Sequence, residues 1–571
     1  MINITSRLWL LSIVGTALIL SLPILTIAFS VFEPPSQNWQ HLKDTVLFEY
    51  LGNSLLLTCG VGSGTLLIGV STAWLTAMCR FPGKKLFVWL LLLPMAMPAY
   101  IVAYTYTGMF DFAGPVQTAI RDWTGWGYRD YYFPQIRSMS GAIAMLSFVL
   151  YPYIYLLARS TFLEQSVGVM EVARTLDCGP WTVFYRVALP LARPAIVAGL
   201  SLALMETLAD YGTVAYFGLS VFTTGIFRVW FGLGDYTAAA KMAALLLLFV
   251  FALIILERVS RNKAQYHNSS GKLIRFTEYQ LHGFKAWGSF ATCAFPVFLG
   301  FLLPATQLSL WALETWSDMV DEEFIDLICN SFLLGFGAAL ISVVLALFLG
   351  YGKRILPGKT TIVSIRTASI GYAIPGTVIA VGVIIPFAWL DIRIDDLMQS
   401  SFGISSGLIF SGTIFAVMFA YVVRFLAVSL QTVESGLGKI KPSMDVAARS
   451  LGYRPRETLF KIHIPLMKSS TLTALMIVFV DAMKELPATL ILRPFDFNTL
   501  AVRAFELASD ERLADSSMAA LTIVFVGLVP VIYLSKIISQ SQLEQGNIPV
   551  SYTHLRAHET DSYLVCRLLL E

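Results

Sequence analysis

Four carboxylates stand inside otherwise apolar runs of this 571-residue chain, and they come as two pairs: Glu206 with Asp210, and Asp481 with Glu485. Within each pair the residues are four apart and so share one face of a helix. Advancing 275 positions from the first pair lands on the second, and Lys484 sits beside it. An ionised side chain at the centre of a hydrocarbon layer costs about 2.5–3.5 kcal/mol even on permissive scales, so these groups must face a protein interior, a wet path or a counter-charge. Two chemistries are open. Carboxylate oxygens suit a hard cation, or the acids pair with Lys484 and backbone donors and set how two halves of a bundle gate. The second use is preferred, because a tight four-carboxylate cage would hold what a path must release. No metal site is assigned, and the six cysteines (Cys59, Cys79, Cys178, Cys293, Cys329, Cys566) are scattered singly, without the spacing of a metal or disulfide framework.

The surrounding composition says what must position these acids. Hydrophobic residues make up 56% of the chain and charged residues 13%, too little charge to cover a soluble core of this size, so most of the chain lies in lipid. A net charge of +3 gives no case for nucleic acid. A first apolar run from about Trp9 to Phe29 reads as an uncleaved span, because no small-residue cleavage site follows it. Further runs lie near Ser54–Leu75, Phe87–Met109, Ala142–Leu157, Ala195–Tyr216 and Ala239–Ile255. A second set lies near Phe290–Leu308, Ser331–Leu349, Val363–Phe387, Leu408–Val423, Leu472–Leu490 and Ala519–Tyr533. The expected fold is an all-α polytopic membrane protein of about 12 transmembrane helices. Pro98 and Pro375 interrupt two of these runs, removing a backbone hydrogen bond and allowing a bend, or simply packing as kinks. Basic residues, including Arg80, Lys84, Arg159, Lys353, Arg354, Arg424 and Arg449, are read into alternate loops, which places both termini in the cytoplasm.

The two sets repeat. Asn53-Ser54 recurs as Asn330-Ser331 and Pro98 as Pro375, each 277 positions on, while Leu176 recurs as Leu451 and Pro190 as Pro465 at 275. Each half holds an even number of spans, so the duplication is parallel: residues 1–262 form one six-helix half, 263–285 a cytoplasmic linker and 286–540 the other half, with a path at the seam. Residues 541–571 form a tail, and from about 550 its character changes to that of appended read-through, so His554, His558 and Cys566 carry no chemistry.

One loop of each half shares a design. The first runs Glu171-Val172-Ala173-Arg174-Thr175-Leu176-Asp177-Cys178-Gly179-Pro180 and ends Val187-Ala188-Leu189-Pro190. The second runs Asp445-Val446-Ala447-Ala448-Arg449-Ser450-Leu451-Gly452 and ends Ile462-His463-Ile464-Pro465. Each reads as a short helix broken at Gly or Pro and followed by a turn back toward a span, a form suited to docking in a partner's groove. The pair resembles the EAA loops of binding-protein-dependent ABC importer permeases. Glu171, Ala173 and Pro190 match in the first loop, with Asp177 at the glycine position. Ala447, Ala448, Gly452 and Pro465 match in the second, with Asp445 one residue before the glutamate position.

Within that group the chain is most similar to fused ferric iron permeases, through Met205–Val214, Lys484–Leu490 and Glu506–Arg512. The resemblance implies a non-enzymatic transport subunit of a bacterial inner membrane, taking ferric iron from an external, periplasmic solute-binding protein. It implies two copies of a separate ATPase on the loops at Glu171, Ala173, Leu176, Asp177, Gly179, Pro190 and at Asp445, Ala447, Ala448, Leu451, Gly452, Pro465. ATP and Mg belong to that ATPase, and this chain needs no cofactor. Thiamine and organophosphonate permeases share the scaffold, and an ion-driven secondary carrier is the alternative from another class. Gly352–Thr360 imitates a phosphate-binding loop but has five residues between its glycines where four are needed, and it lies between two spans.

Overall fold

The computed structural model describes residues 4–127, 130–164, 179–262 and 278–544. Among the described residues nine helices are long and apolar enough to cross a membrane, or 11 where each of two bent helix pairs is one span. A shorter apolar segment, Ser517–Ile532, stands where the last span was expected. The elements that position the site are α1 (Ile4–Ser30), α2 (Leu47–Met78), α3 (Ala99–Phe110), α4 (Met139–Glu164), α5 (Leu189–Ala209), α6 (Gly212–Tyr216) and α7 (Tyr236–Asn262). They continue with α8 (Phe284–Met319), α9 (Glu322–Ile355), α10 (Gly376–Phe402), α11 (Ile414–Gly438), α12 (Pro442–Ser450), α13 (Lys468–Met483), α14 (Pro487–Leu492), α15 (Leu500–Ser509) and α16 (Ser517–Glu544).

Hydrocarbon offers the backbone no partners, so the fold is helical wherever it crosses, and the hydroxyls carried into it bond back along their own helices. Thr65, Thr72 and Thr76 on α2 each donate to the carbonyl four residues earlier. Helices α2 and α4 approach closely along their length: a Cβ on Gly69 would lie 2.8 Å from the Ile154 side chain. Without a hydrophobic drive between helices in lipid, such small-residue contact is what packs them.

The packing interlaces the sequence halves. One core joins α2 to α5 with α8, α15 and α16; the other joins α9, α10, α11, α13 and α14 with α1 and α7. Helix α1 therefore lies on α10, and α8 on α16 and α3. Cys79–Arg80 pairs in parallel with Tyr279–Gln280, and Lys84 meets Glu278 at 3.0 Å.

Sequence landmarks of the repeat reappear as repeated bonds. Asn53 Nδ2 donates to Ser220 O and Asn330 Nδ2 to Asn498 O, while Ser54 Oγ accepts from Phe222 N and Ser331 Oγ from Leu500 N. A π turn at Phe184–Ala188 is matched 275 positions on by one at Leu459–His463. Each lies just before the repeated proline, Pro190 or Pro465, where the widened turn accommodates a ring that would clash with an ordinary α-helical carbonyl. Pro98 and Pro375 sit at the N-caps of α3 and α10 and so begin helices instead of kinking them from within. The first break is sharp: Lys84–Ala96 and Ala99–Thr124 are bent by 90°.

Candidate functional site

A cavity of about 150 Å³ lies at the seam of the two halves, and all four carboxylates of the apolar runs line it: Glu206 and Asp210 from one half, Asp481 and Glu485 from the other. The chain breaks beside each second acid. Helix α5 stops at Ala209 and α6 starts at Gly212; α13 stops at Met483 and α14 starts at Pro487. The exposed N–H groups of a helix start need acceptors, and the second acid of each pair supplies one. Asp210 Oδ2 accepts from Val214 N at 3.1 Å, with Thr213 Oγ1 on its other oxygen, and Glu485 Oε1 accepts from Ala488 N at 3.3 Å. The two open chemistries thus divide by position: Asp210 and Glu485 are capping acids, which leaves Glu206 and Asp481 for the cavity. Glu206 has no hydrogen-bond or ion-pair partner among the described residues, and Asp481 meets only Lys484, at 3.6 Å.

Two cations balance the wall incompletely. Lys484 Nζ donates to Met95 O at 3.1 Å, a bond from one half to the broken span of the other. Arg424 Nε lies 3.2 Å from Glu485 Oε2, with both side chains at least nine-tenths buried. The approach is electrostatic, since Arg424 Nε and Nη1 have no aligned acceptor. With all six groups ionised the wall keeps an excess of two negative charges. Tyr153 and Tyr372 line the same cavity, one from each half. No three His, Cys, Asp or Glu side chains among the described residues converge as a metal cage.

Arg424 corrects the sequence reading, which counted it among loop cations. Helix α11 runs on to Gly438, so Arg424 is mid-helix and buried, and Arg159 is likewise inside α4. A single arginine within Val422-Val423-Arg424-Phe425 was the available signal. The two tyrosines carried none, because aromatic residues are frequent throughout these spans.

Gly376 gives the site its tightest approach. A Cβ there would overlap Glu485 Oε1 and lie 2.8 Å from Arg424 Nη1. Gly376→Ala is therefore expected to lower the melting temperature, by the equivalent of about 1–3 kcal/mol for overpacking, and to depress uptake with it. A variant that melts and transports like the parent would remove this role.

Of the two paired loops, Glu171, Ala173, Leu176 and Asp177 lie outside the described residues, while Gly179 caps the short helix Pro180–Val183. Pro190 opens α5. In the second loop α12 carries Asp445, Ala447 and Ala448, and ends at Leu451 and Gly452. Gly452 takes φ +83°, and Tyr453 N returns to Ala448 O, a left-handed stop that glycine adopts without penalty. Pro465 lies in the next turn, Ile464–Leu466.

Residues 65–265 and 342–542 each match the family model of the binding-protein-dependent transport system inner membrane component, and the chain belongs to that family. It is a polytopic permease subunit of an importer that takes solute from a binding protein. The chain is 26% identical over 497 residues to the Fe(3+)-transport system permease protein of Haemophilus influenzae, covering 86% of this chain and 90% of that one. It is 24% identical over 482 residues to the ferric transport system permease protein of Actinobacillus pleuropneumoniae (80% and 66%). Over 149 residues it is 30% identical to the molybdenum transport system permease protein of Escherichia coli (26% and 62%).

Proposed function

We propose that this chain is the fused, two-half permease of a ferric iron importer, and the observation that carries the cargo is the acidic excess of the seam cavity. Relatives named for ferric iron match along most of the chain, those named for molybdenum along a quarter of it. A wall with two uncapped carboxylates repels an oxyanion and attracts a hard cation. Twelve spans form two parallel sets of six, with both termini in the cytoplasm of a bacterial cell and the binding protein at the opposite face. Two ATPase copies engage the loops at Glu171–Pro190 and Asp445–Pro465. ATP binding closes the ATPase pair and swings the loops, turning the seam outward; hydrolysis and product release turn it back. Cargo then meets Glu206 and Asp481 briefly, with Arg424 and Lys484 close enough to compete for them and prevent trapping.

The test is uptake of labelled ferric iron into proteoliposomes holding the permease, its ATPase and its binding protein. Iron accumulation that depends on ATP and on the binding protein is expected. Accumulation without the ATPase would leave secondary transport in its place, and uptake of thiamine or an organophosphonate instead of iron would overturn the cargo.

A further inference from the structure

The underside of the second loop is built around charges that the transport path does not use. Arg354, in the last turn of α9, spends its guanidinium in three directions. Nε donates to Asp445 Oδ2 at 2.7 Å, one terminal nitrogen to Leu437 O at 2.6 Å and the other to Ile440 O at 2.8 Å. It thereby closes the end of α11, whose last carbonyls want a cation, and holds an acid in the first turn of α12, where the helix start wants an anion. His463 has no exposed surface; its Nε2 lies 2.7 Å from Asp445 Oδ1, in ion-pair range but off hydrogen-bond alignment. Arg354 is the guanidinium paired with Asp445 in this cluster. The His463 ring meets Tyr351 edge-on at 5.4 Å, and Tyr351 Oη donates to Pro455 O at 2.7 Å.

These bonds join four pieces of chain: the foot of α9, the end of α11, the loop helix α12 and the elbow from Pro455 to His463. A planar guanidinium with its donors spent at fixed angles is a directional joint, which a lysine is not. The matching foot in the first half is aromatic. Trp74, the counterpart of Tyr351 at offset 277, packs on Phe162 at 5.5 Å and Phe184 at 4.9 Å. Meanwhile Val446 and Leu451 of the second loop point outward, 61% and 77% exposed.

We infer that Arg354, Asp445 and His463 are positioning residues, a clamp that makes the loop helix α12 and the foot of α9 one rigid lever, while Val446 and Leu451 supply the contact to the motor. Asp445 then stands near the glutamate position of the loop pattern without touching the partner. The inference rests on the proposed docking of an ATPase at α12. Its consequence is that clamp variants lose the conversion of hydrolysis into transport and keep the motor bound.

The experiment uses the complete permease with both ATPase copies in lipid vesicles and reads two quantities: ATPase retained per permease and ATP hydrolysed per cargo imported. Asp445→Asn is expected to retain both copies and to raise ATP used per cargo at least about fivefold, the lower end of coupling between distant sites. Val446→Asp is expected to release a copy. Tyr351→Phe, which removes only the bond to Pro455, is expected to raise the ratio less, and it decides the matter where Asp445→Asn fails to assemble. Release of ATPase by Asp445→Asn as complete as by Val446→Asp would make Asp445 a direct contact and overturn the clamp. An unchanged ratio in both clamp variants would also overturn it. A parent permease that retains no ATPase at all would instead defeat the docking reading beneath it.

Discussion

The double variant Glu206→Gln, Asp481→Asn is expected to lose at least about nine-tenths of iron uptake while its complex still hydrolyses ATP. Both replacements keep side-chain volume, so packing and the capping bonds of Asp210 and Glu485 remain, and only charge leaves the cavity. Two unit charges about 4 Å apart interact by about 4 kcal/mol at an effective dielectric near 20. A third of that, added to the barrier to passage, already slows the rate about tenfold. Each single variant should fall between, because the halves contribute one free acid each. The sign also separates cargo classes: with the two charges gone, the wall's excess vanishes, so an oxyanion such as molybdate would pass faster while ferric iron passes slower. Iron uptake at the parent rate in the double variant would leave the carboxylates without a part in passage. Parallel loss of ATP hydrolysis would reassign them to gating alone.

The acids themselves were legible because carboxylates inside apolar runs have few explanations, and the offset of 275 tied one pair to the other. Their division of labour was not. Whether Asp210 or Glu206 serves as a cap depends on where α5 stops, and nothing in Met205–Val214 announces a stop at Ala209. The prolines were legible as breaks: Pro98 and Pro375 cap the following helices, and at Pro98 the chain bends by 90°. Arg424 was missed for a related reason: span ends were read from hydropathy, and a cation near a boundary is drawn into the loop by any such reading. The interlacing of α1 and α7 with the second half leaves no trace along the chain, because lipid-facing and protein-facing positions are equally apolar. Landmarks whose function is a bond, such as Asn53-Ser54 and Asn330-Ser331, are visible in the chain as repeats, while their partners, about 168 positions away, are not.

The other large effect is expected at Arg424 and Glu485, where one substitution should do more damage than two. Arg424→Met leaves Glu485 with a single N–H donor from Ala488 and no cation, and Glu485→Gln leaves a buried guanidinium already short of aligned acceptors. Removing one member of a buried ion pair costs about 3–5 kcal/mol, because the survivor stays desolvated and unbalanced. The double variant Arg424→Met, Glu485→Met removes both charges, leaves the cavity's net charge unchanged and puts apolar volume between Tyr421 and Gly376. It should recover most of the lost stability, less about 1 kcal/mol for the cap on α14. Thermal unfolding of the purified permease in lipid measures the three variants against the parent. Iron uptake by the double variant should nonetheless stay low, because the charged tie across the cavity is gone and only Tyr421 Oη, on Thr489 Oγ1 and Glu485 O, still joins α11 to the start of α14. A double variant no more stable than either single would show that charge balance is not what holds this wall together. Recovery of both stability and uptake would reduce the pair to packing and leave Glu206, Asp481 and Lys484 as the only charges that passage needs.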